Sequence, residues 1–289
     1  MTTHTFMKDG TLQFFLPGFS LRETLFCGQS FSWTSVGDAS SFPCEEVFLG
    51  VTSSRAVYAY QIDHTLMIEN ALPFPFTQED FAFWFYYFCV DINYPALLAL
   101  FSTFPPLERC IQSAPGLRVL RQPFFDTLLS FIISQNNHIP RITAITQRLC
   151  REHGPMLANG IYGFPTADTL STKSLEDFAS LRAGFRGKYL LDAAKKVADG
   201  TVSESALVSL NNDSAREHLK QIFGVGNKVA DCVLLYGLGR LDIVPMDVWM
   251  KRVMDRLFPK GYPKEIANYE GIAQLFSFAW GRKHLSTKE

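Results

Sequence analysis

The feature that most constrains the fold is a pair of glycines, Gly224 and Gly226, between two stretches of helical periodicity. Two glycines separated by one residue favour a turn over a continuing helix. Apolar residues recur at helical spacing up to Phe223 and again from Val229. The sequence therefore predicts two helices joined by a tight hairpin, over about residues 206–240.

Lys228 lies in the first turn of the second predicted helix, where free backbone N–H groups suit a phosphate or another anion. A cation is disfavoured there by the helix dipole, so this lysine is either solvated or functional. Asp247 precedes a later apolar helix and is predicted to cap it. A lysine in a partly dry pocket is a Schiff-base nucleophile, and a nearby carboxylate can assist. The alternative is a surface lysine and a simple helix cap.

The segments Leu219–Cys232 and Val244–Val248 resemble the helix-hairpin-helix, Gly/Pro…Asp superfamily of DNA glycosylases, and most closely its 8-oxoguanine DNA glycosylase/AP lyases. The resemblance implies that Lys228 attacks C1′ of the damaged nucleotide and that Asp247 assists. Cys232 lies one helical turn beyond Lys228 and can share its face. The resemblance implies that this thiol and the lysine sandwich the oxidised base. The residues expected to contact DNA here are Gly224, Gly226, Val248 and Trp249.

Composition favours a globular intracellular protein. Of the 289 residues 47% are hydrophobic, enough for a sizeable core in two or three subdomains. No apolar run is long enough for a transmembrane helix, and Met1–Gly10 lacks the apolar segment of a secretion signal. The six scattered cysteines include no Cys-x-x-Cys pair, which argues against a zinc finger or an iron–sulfur cluster. We expect a reduced compartment: cytosol with nucleoid in a bacterium, the nucleus in a eukaryote.

Charge is unevenly distributed along the chain. The formal net charge is −1, but residues 1–120 carry −6 and the remainder carries +5. The basic excess therefore lies in the half that contains the predicted hairpin, where phosphate contact would require it. This asymmetry permits nucleic-acid binding without demonstrating it.

Residues 1 to about 70 are predicted to form an antiparallel sheet, because short apolar runs alternate with Gly, Ser, Asp and Pro. The predicted strands are Leu12–Leu16, Phe48–Val51, Ala56–Gln61 and Thr65–Ile68. The segment Gly28-Gln-Ser-Phe-Ser-Trp33 lies among them. Its glycine either permits a bend in a strand–turn or matches a signature of the 8-oxoguanine glycosylases.

In that family the carbonyl of the glycine matching Gly28 faces the flipped base. Guanine presents N7 as an acceptor, whereas 8-oxoguanine carries a hydrogen on N7. A fixed carbonyl would accept a hydrogen bond from the lesion and oppose the normal base. Glycine suits this place because a side chain would obstruct close approach of the backbone.

From Thr77 onward the chain is predicted to be mainly helical. Thr77 is the expected N-cap of an aromatic helix over Phe81–Phe88, whose stripe of rings is predicted to pack in the core. Further helices are predicted at Tyr94–Phe104, Phe124–Gln135 and Tyr189–Gly200.

Two loops resemble the family's DNA-inserting segments. In Gln135–Arg141, the resemblance implies that Asn136 fills the gap left by the flipped base, with Asn137 close by, and that Arg141 binds the orphaned cytosine. The alternative is a helix–loop–helix in which an asparagine caps the second helix. In the second loop, Phe185 matches an intercalating wedge and Arg186 a second reader of the orphan base. The alternative there is a glycine-bounded turn with a buried phenylalanine.

Near the C-terminus, Gln274 and Phe278 match the family's residues that pair with and cover the flipped base. The alternative is an amphipathic helix with Phe278 in the core. Two positions depart from the family pattern. Trp249 stands where a histidine is frequent, and Gly281 stands where many relatives have an aspartate.

These segments predict an α+β, mainly α fold. Residues 1–115 would form a sheet domain with the first helical elements, and residues 116–289 a helical glycosylase domain. The resemblance implies a bifunctional DNA glycosylase and AP lyase that flips 8-oxoguanine, opposite cytosine, out of duplex DNA and excises it through a Schiff base. We expect a monomer that acts away from membranes and needs neither an organic cofactor nor a catalytic metal. The resemblance alone implies a monovalent cation at the hairpin carbonyls. The alternatives are a glycosylase for another oxidised base and a non-catalytic DNA-binding module.

Overall fold

A computed structural model describes residues 5–8 and 10–285. An N-terminal antiparallel sheet is followed by a helical body, which confirms the predicted α+β, mainly α class. Residues 1–4, 9 and 286–289 lie outside the described residues, so part of Met1–Gly10 and the end of the second predicted domain fall there. None of the helices in the described ranges is long and apolar enough to cross a membrane.

The strands are β1 (Thr5–Lys8), β2 (Thr11–Phe15), β3 (Trp33–Ser35), β4 (Val47–Thr52), β5 (Arg55–Ile62), β6 (Thr65–Asn70), β7 (Met156–Ala158) and β8 (Ile161–Tyr162). The helices are α1 (Leu21–Phe26), α2 (Gln78–Tyr87), α3 (Tyr94–Ser102), α4 (Pro105–Ser113), α5 (Phe124–Ser134), α6 (Ile139–His153), α7 (Ala167–Ser171), α8 (Arg186–Ala198), α9 (Glu204–Ser209), α10 (Asn212–Leu219), α11 (Asn227–Cys232), α12 (Val248–Leu257) and α13 (Glu270–His284). A π-helical segment, Val233–Gly237, continues directly from α11.

The main sheet is antiparallel, with strand order β1-β2-β6-β5-β4-β3. Leu12 pairs with Ile68, and Phe14 pairs with Leu66. All four side chains are fully buried, because alternate residues of a strand face the same side of the sheet. That face packs against α1 and α2. The four predicted strands are confirmed as β2, β4, β5 and β6.

The prediction of strands alone in the first 70 residues was wrong at α1. The Ser20 hydroxyl accepts a hydrogen bond from the Glu23 N–H at 3.4 Å and so caps this helix. Leu21 and Leu25, one turn apart, are buried in the cluster beneath the sheet. A cap and a four-residue spacing of buried leucines account for the helix.

A second departure is the β7–β8 hairpin, in a region predicted to be helical. Asn159-Gly160 connects its strands, and Gly160 has φ +76°. An Asn-Gly pair is a strong hairpin signal because both residues tolerate positive φ. The prediction of an entirely helical region was therefore wrong at this hairpin.

The expected aromatic helix is confirmed as α2. Thr77 caps it in a reciprocal pair with Asp80. Trp84 and Phe88 are fully buried, while Phe81 and Phe85 pack partly buried on the same cluster. The predicted helix Tyr189–Gly200 begins earlier, at Arg186, so Lys188 lies within α8 rather than before it.

Helix α5 passes through the helical body and ends at the loop that begins with Gln135. Asp126, in its first turn, is buried and accepts hydrogen bonds from the Ser53 N–H at 2.6 Å and the Thr52 hydroxyl at 2.9 Å. Burial raises the pKa of Asp126 to about 6. This carboxyl joins the β4–β5 turn to the helix that leads into the candidate site.

Candidate active site

A cleft of about 640 Å³ opens where several loops and helix ends of the helical body meet the Gly28 segment. The predicted residues that line it are Gly28, Asn136, Asn137, Phe185, Gly226, Lys228, Asp247, Val248, Trp249 and Phe278. A smaller inner pocket of about 40 Å³ adjoins it and is lined by Cys232 and Gln274. Gly28, Lys228, Asp247 and Phe278 line both cavities. Residues far apart in sequence thus meet at one place.

The glycine pair forms the predicted hairpin between α10 and α11. Gly224 has φ +82°, a conformation that favours glycine, and Gly226 is the N-cap of α11. Lys228 lies in the first turn of α11, as predicted. Its Nζ lies 5.0 Å from the centre of the Phe131 ring, within cation–π range.

Phe131 and Tyr236 are site residues that the sequence did not reveal. Their rings are stacked with centres 5.4 Å apart and planes 9° from parallel. Tyr236 belongs to the π-helical segment, a feature frequent at functional sites. Phe131 sits in the buried stretch Leu128–Ile133, which is apolar except for Ser130, and nothing there distinguishes it from core residues.

Asp247 caps α12, as predicted: its Oδ1 accepts a hydrogen bond from the Met250 N–H at 2.8 Å. This bond fixes the carboxylate at the helix end while it borders both cavities. A carboxylate held in this way can stabilise positive charge that develops in the cleft.

Cys232 is buried one turn beyond Lys228, and both side chains line the inner pocket, as expected from their spacing. Burial raises the pKa of the Cys232 thiol to about 11, against the opposing effect of the Lys228 ammonium. Burial likewise raises the pKa of Cys27, a further pocket residue, to about 12. Both groups are therefore neutral thiols near pH 7.

The Gly28 segment is a loop between α1 and β3. Gly28 has φ +100°, and a Cβ placed there would meet only the Ile139 Cδ1 at 3.5 Å, an ordinary contact. Its backbone conformation therefore disfavours any side chain, in addition to the expected need for close approach.

The neighbouring Gln29 is buried and holds this loop. Its Nε2 donates to the carbonyls of Thr24 at 2.9 Å and Arg118 at 2.7 Å, and its Oε1 accepts from the Leu120 N–H at 2.9 Å. All polar atoms of the amide are thus bonded.

Helix α13 brings Gln274 and Phe278 to the pocket. Gln274 is buried, and its Nε2 donates to the Pro245 carbonyl at 3.4 Å. Its Oε1 has no hydrogen-bond partner among the described residues. A buried acceptor left unpaired is available to a ligand's N–H. Phe278 is half-buried at the boundary of the two cavities, not wholly in the core.

The loop after α5 places Asn136 at an exposed tip with φ +46°. Asn137 stabilises that tip: its Nδ2 donates to the Ile133 carbonyl at 3.1 Å, and its Oδ1 accepts from the His138 N–H at 3.0 Å. His138 is the N-cap residue of α6, and its side chain makes no capping hydrogen bond. The alternative that an asparagine caps this helix was therefore wrong. Arg141 is exposed and donates to the Arg182 carbonyl at 3.4 Å, outside the residues that line the cleft.

Phe185 is 47% exposed, which excludes the alternative of a buried phenylalanine in this turn. Arg186 is buried and does not line the cleft. Its guanidinium donates to the carbonyls of Gln135, Asn136 and Ala183. Its contacts join the two predicted DNA-facing loops, a structural role that the sequence did not predict.

Among residues 5–8 and 10–285, no cluster of three or more His, Cys, Asp or Glu side chains could hold a metal ion.

Comparison with known proteins identifies the family. The family model of the 8-oxoguanine DNA glycosylase N-terminal domain matches residues 12–128. The family model of the HhH-GPD superfamily of base excision DNA repair proteins matches residues 129–271. The solved structure of MBOgg1 in complex with a low-affinity DNA ligand is 35% identical and superposes with a TM-score of 0.86 over 98% of this chain and 99% of that chain. The chain belongs to the 8-oxoguanine DNA glycosylase family.

Other relatives agree with this assignment. The Clostridium acetobutylicum 8-oxoguanine glycosylase/lyase, in complex with duplex DNA that has cytosine opposite 8-oxoguanine, is 29% identical, with a TM-score of 0.84 over 98% of this chain and 99% of that chain. The Saccharomyces cerevisiae N-glycosylase/DNA lyase is 37% identical over 159 residues, 50% of this chain and 42% of that protein. The match spans less than two thirds of the curated relative's length.

The two departures from the glycosylase family pattern lie close together. The Trp249 ring is half-buried, with the guanidinium carbons of Arg252 and Arg282 at 5.8 and 5.5 Å from ring centres. Val248, beside it, is 66% exposed. A Cβ on Gly281 would lie 2.5 Å from the Val253 Cγ2, so glycine permits close packing of α13 on α12.

Proposed function

We propose that this protein is a bifunctional DNA glycosylase and AP lyase that excises 8-oxoguanine paired with cytosine from duplex DNA. The observation that carries the proposal is the inner pocket, where Lys228, Cys232 and Gln274 converge with the Gly28 segment. The pocket adjoins a cleft bordered by Asn136 and Phe185, the exposed tips of two loops.

Discrimination between the lesion and guanine rests on the Gly28 carbonyl. An acceptor at this point receives the N7 hydrogen of 8-oxoguanine and repels the N7 lone pair of guanine. In this proposal the Gln274 amide pairs with the Watson–Crick edge, which is supported by the lack of a partner for its Oε1 among the described residues. A guanine N–H would satisfy that buried oxygen.

Entry of the base requires a rearrangement. The inner pocket of about 40 Å³ has room for a few waters but not for a purine. Phe278 lies between the two cavities and is only partly buried, so its displacement would join them. In the occupied pocket the ring would cover one face of the base.

The chemistry begins when the Lys228 ammonium gives up a proton and its amine attacks C1′ of the extruded nucleotide. The C1′–N9 bond breaks, and its electron pair leaves with the base, which takes up a proton. Loss of the amine proton and opening of the sugar ring produce a Schiff base. Removal of a proton from C2′ then expels the 3′ phosphate. Asp247 stabilises the positive charge of the first step.

The remaining roles follow the expectations from sequence. Asn136 fills the gap, Arg141 contacts the orphaned cytosine, and Phe185 kinks the duplex. Arg186 would contact that cytosine only by giving up hydrogen bonds to the carbonyls of the two loops. We propose that the hairpin backbone holds a phosphate or a monovalent cation and that the protein acts as a monomer.

The test is single-turnover excision on duplexes containing 8-oxoguanine opposite each of the four bases. Wild type is compared with Lys228→Gln, and sodium borohydride is added to a parallel set to trap the Schiff base. We expect excision fastest opposite cytosine, with excision and trapping both abolished in Lys228→Gln. Tight duplex binding without excision by wild type would instead support a non-catalytic DNA-binding module.

A further inference from the structure

One face of α8 contacts the backbone segment that leads into the hairpin between α10 and α11. Tyr189, Asp192 and Lys196 are spaced three and four residues apart, so their side chains share that face. All three contact the segment Gln221–Gly224. None of the three lines the cleft or the inner pocket.

The Tyr189 ring packs directly on Gly224. A Cβ at Gly224 would lie 2.5 Å from this ring, so only a bare backbone allows the contact. The same ring meets Phe223 edge-on, with centres 5.1 Å apart, and Phe185 with centres 5.5 Å apart. Three aromatic rings therefore run from the rim of the cleft to the hairpin.

Asp192 and Lys196 bind the hairpin backbone itself. The Asp192 Oδ2 accepts from the Phe223 N–H at 2.6 Å and from the Lys196 Nζ at 2.9 Å. The Lys196 Nζ also donates to the Gln221 carbonyl. Both charged side chains are more than two thirds buried, so water screens this network less than an exposed pair.

This face of α8 lies between the two parts of the protein that the proposed function assigns to DNA, the exposed Phe185 and the hairpin that carries Lys228. Phe185 is the N-cap residue of α8 and stands exposed at the cleft. Gly224 precedes Lys228 by four residues, with Val225 buried between them. A displacement of α8 that follows Phe185 is therefore transmitted to the hairpin that carries Lys228.

We propose that Tyr189, Asp192 and Lys196 are positioning residues that clamp the hairpin to α8, so that insertion of Phe185 into the duplex and placement of the Lys228 amine are coupled. This proposal rests on the proposed function. Residues outside the cleft would then fix the distance between the Lys228 amine and the C1′ atom that it attacks. A small misplacement of such reacting groups lowers the rate strongly.

The chain offers a matched control for the lysine. Lys195 is exposed on the same helix and carries the same charge, and its side chain makes no hydrogen bond or ion pair within the described part of the chain. Lys196→Met is expected to slow single-turnover excision roughly tenfold, whereas Lys195→Met stays near the wild-type rate. Tyr189→Leu should slow the reaction as well, whereas Tyr189→Phe, which keeps the ring, should not. Equal rates for the two lysine variants would overturn the clamp.

A double-mutant cycle separates coupling from a loss of fold stability. Phe185→Ala, Lys196→Met and the double variant are compared for excision, and for affinity toward a duplex with a tetrahydrofuran abasic analogue. If the two residues are coupled, the double variant should excise no more slowly and bind no more weakly than the poorer single variant. If the losses of the two single variants instead multiply in both excision rate and affinity, the coupling is refuted. If wild type binds but does not excise 8-oxoguanine, the proposed function fails and the binding cycle still decides on the clamp.

Discussion

Gln29 determines where the Gly28 carbonyl lies, although it does not need to touch the base. Three hydrogen bonds fix its amide, and its own carbonyl accepts from the Gln122 Nε2 at 2.7 Å. Each buried bond contributes about 1 kcal/mol, and leaving one of these groups unpaired would cost more. The proposed recognition element is thus a backbone atom next to a fully bonded side chain.

Gly28→Ala should destabilise the fold. Its φ of +100° lies in a region that costs an L-residue about 1–2 kcal/mol, even though space for the methyl exists. Gly37→Ala is the control, because Gly37 is exposed, has no positive φ and has nothing near its Cβ position. Urea unfolding of both variants measures the difference. Equal stabilities would show that backbone strain at residue 28 is not the determining factor.

At this scale the sequence predicted residues whose chemistry is local. The Asp247 cap and the shared face of Lys228 and Cys232 follow from spacing along one helix, and both are confirmed. The Phe131 contact with Lys228 does not, because an aromatic residue in a buried run carries no sign of its partner. The Arg186 bonds to backbone 50 and 51 residues earlier depend equally on the tertiary fold.

At the scale of elements, the packing of α12 on α13 accounts for a glycine at position 281, where the resemblance led us to expect an aspartate. The two helices approach so closely that Val253, which is fully buried, occupies the space of any side chain there. The next residue, Arg282, contacts the Trp249 ring instead. This junction therefore combines tight packing with a cation–π contact.

Gly281→Ala is expected to reduce the free energy of unfolding by about 1 kcal/mol, because overpacking outweighs the better helix propensity of alanine. Val253→Ala should open a small cavity and also destabilise the protein. The double variant should recover part of the loss, since each change relieves the other. Thermal unfolding of the four proteins tests this. Additive losses would contradict a direct contact between the two positions.

Element type was predictable where periodicity was sustained. The strands β2, β4, β5 and β6 and the helix α2 follow from runs of alternating or helical spacing. The six-residue helix α1 is too short for its periodicity to outweigh the strand-like residues around it, and its cap is the only strong local sign. The short hairpin β7–β8 was missed because helical patterns surround its turn.

At the scale of the whole molecule, Asp126 connects the sheet to the helical body through the β4–β5 turn. Its pKa of about 6 lies above the ordinary 3.8 because burial disfavours the charged form. A raised pKa favours the protonated group in the folded state. Its stabilising contribution is therefore complete below pH 3.8 and is lost as the pH rises through 6.

Asp126→Asn should remove this pH dependence. Relative to the variant, wild type should lose about 3 kcal/mol of unfolding free energy between a pH well below 3.8 and a pH well above 6, from the difference between the two pKa values. Asp255→Asn, at an exposed position, serves as the control and should follow wild type. Urea unfolding across this pH range measures the difference. If the difference in unfolding free energy between wild type and Asp126→Asn stays constant across this pH range, the raised pKa of Asp126 is refuted.

Burial of the pocket thiols has a consequence for the survival of the enzyme under oxidising conditions. Peroxides react with the thiolate form of cysteine and hardly at all with the neutral thiol. Burial raises the pKa of Cys232 to about 11 and that of Cys27 to about 12, so both groups are protonated thiols at pH 7. The conditions that oxidise guanine would therefore leave intact the sulfur atoms of the pocket proposed to receive it.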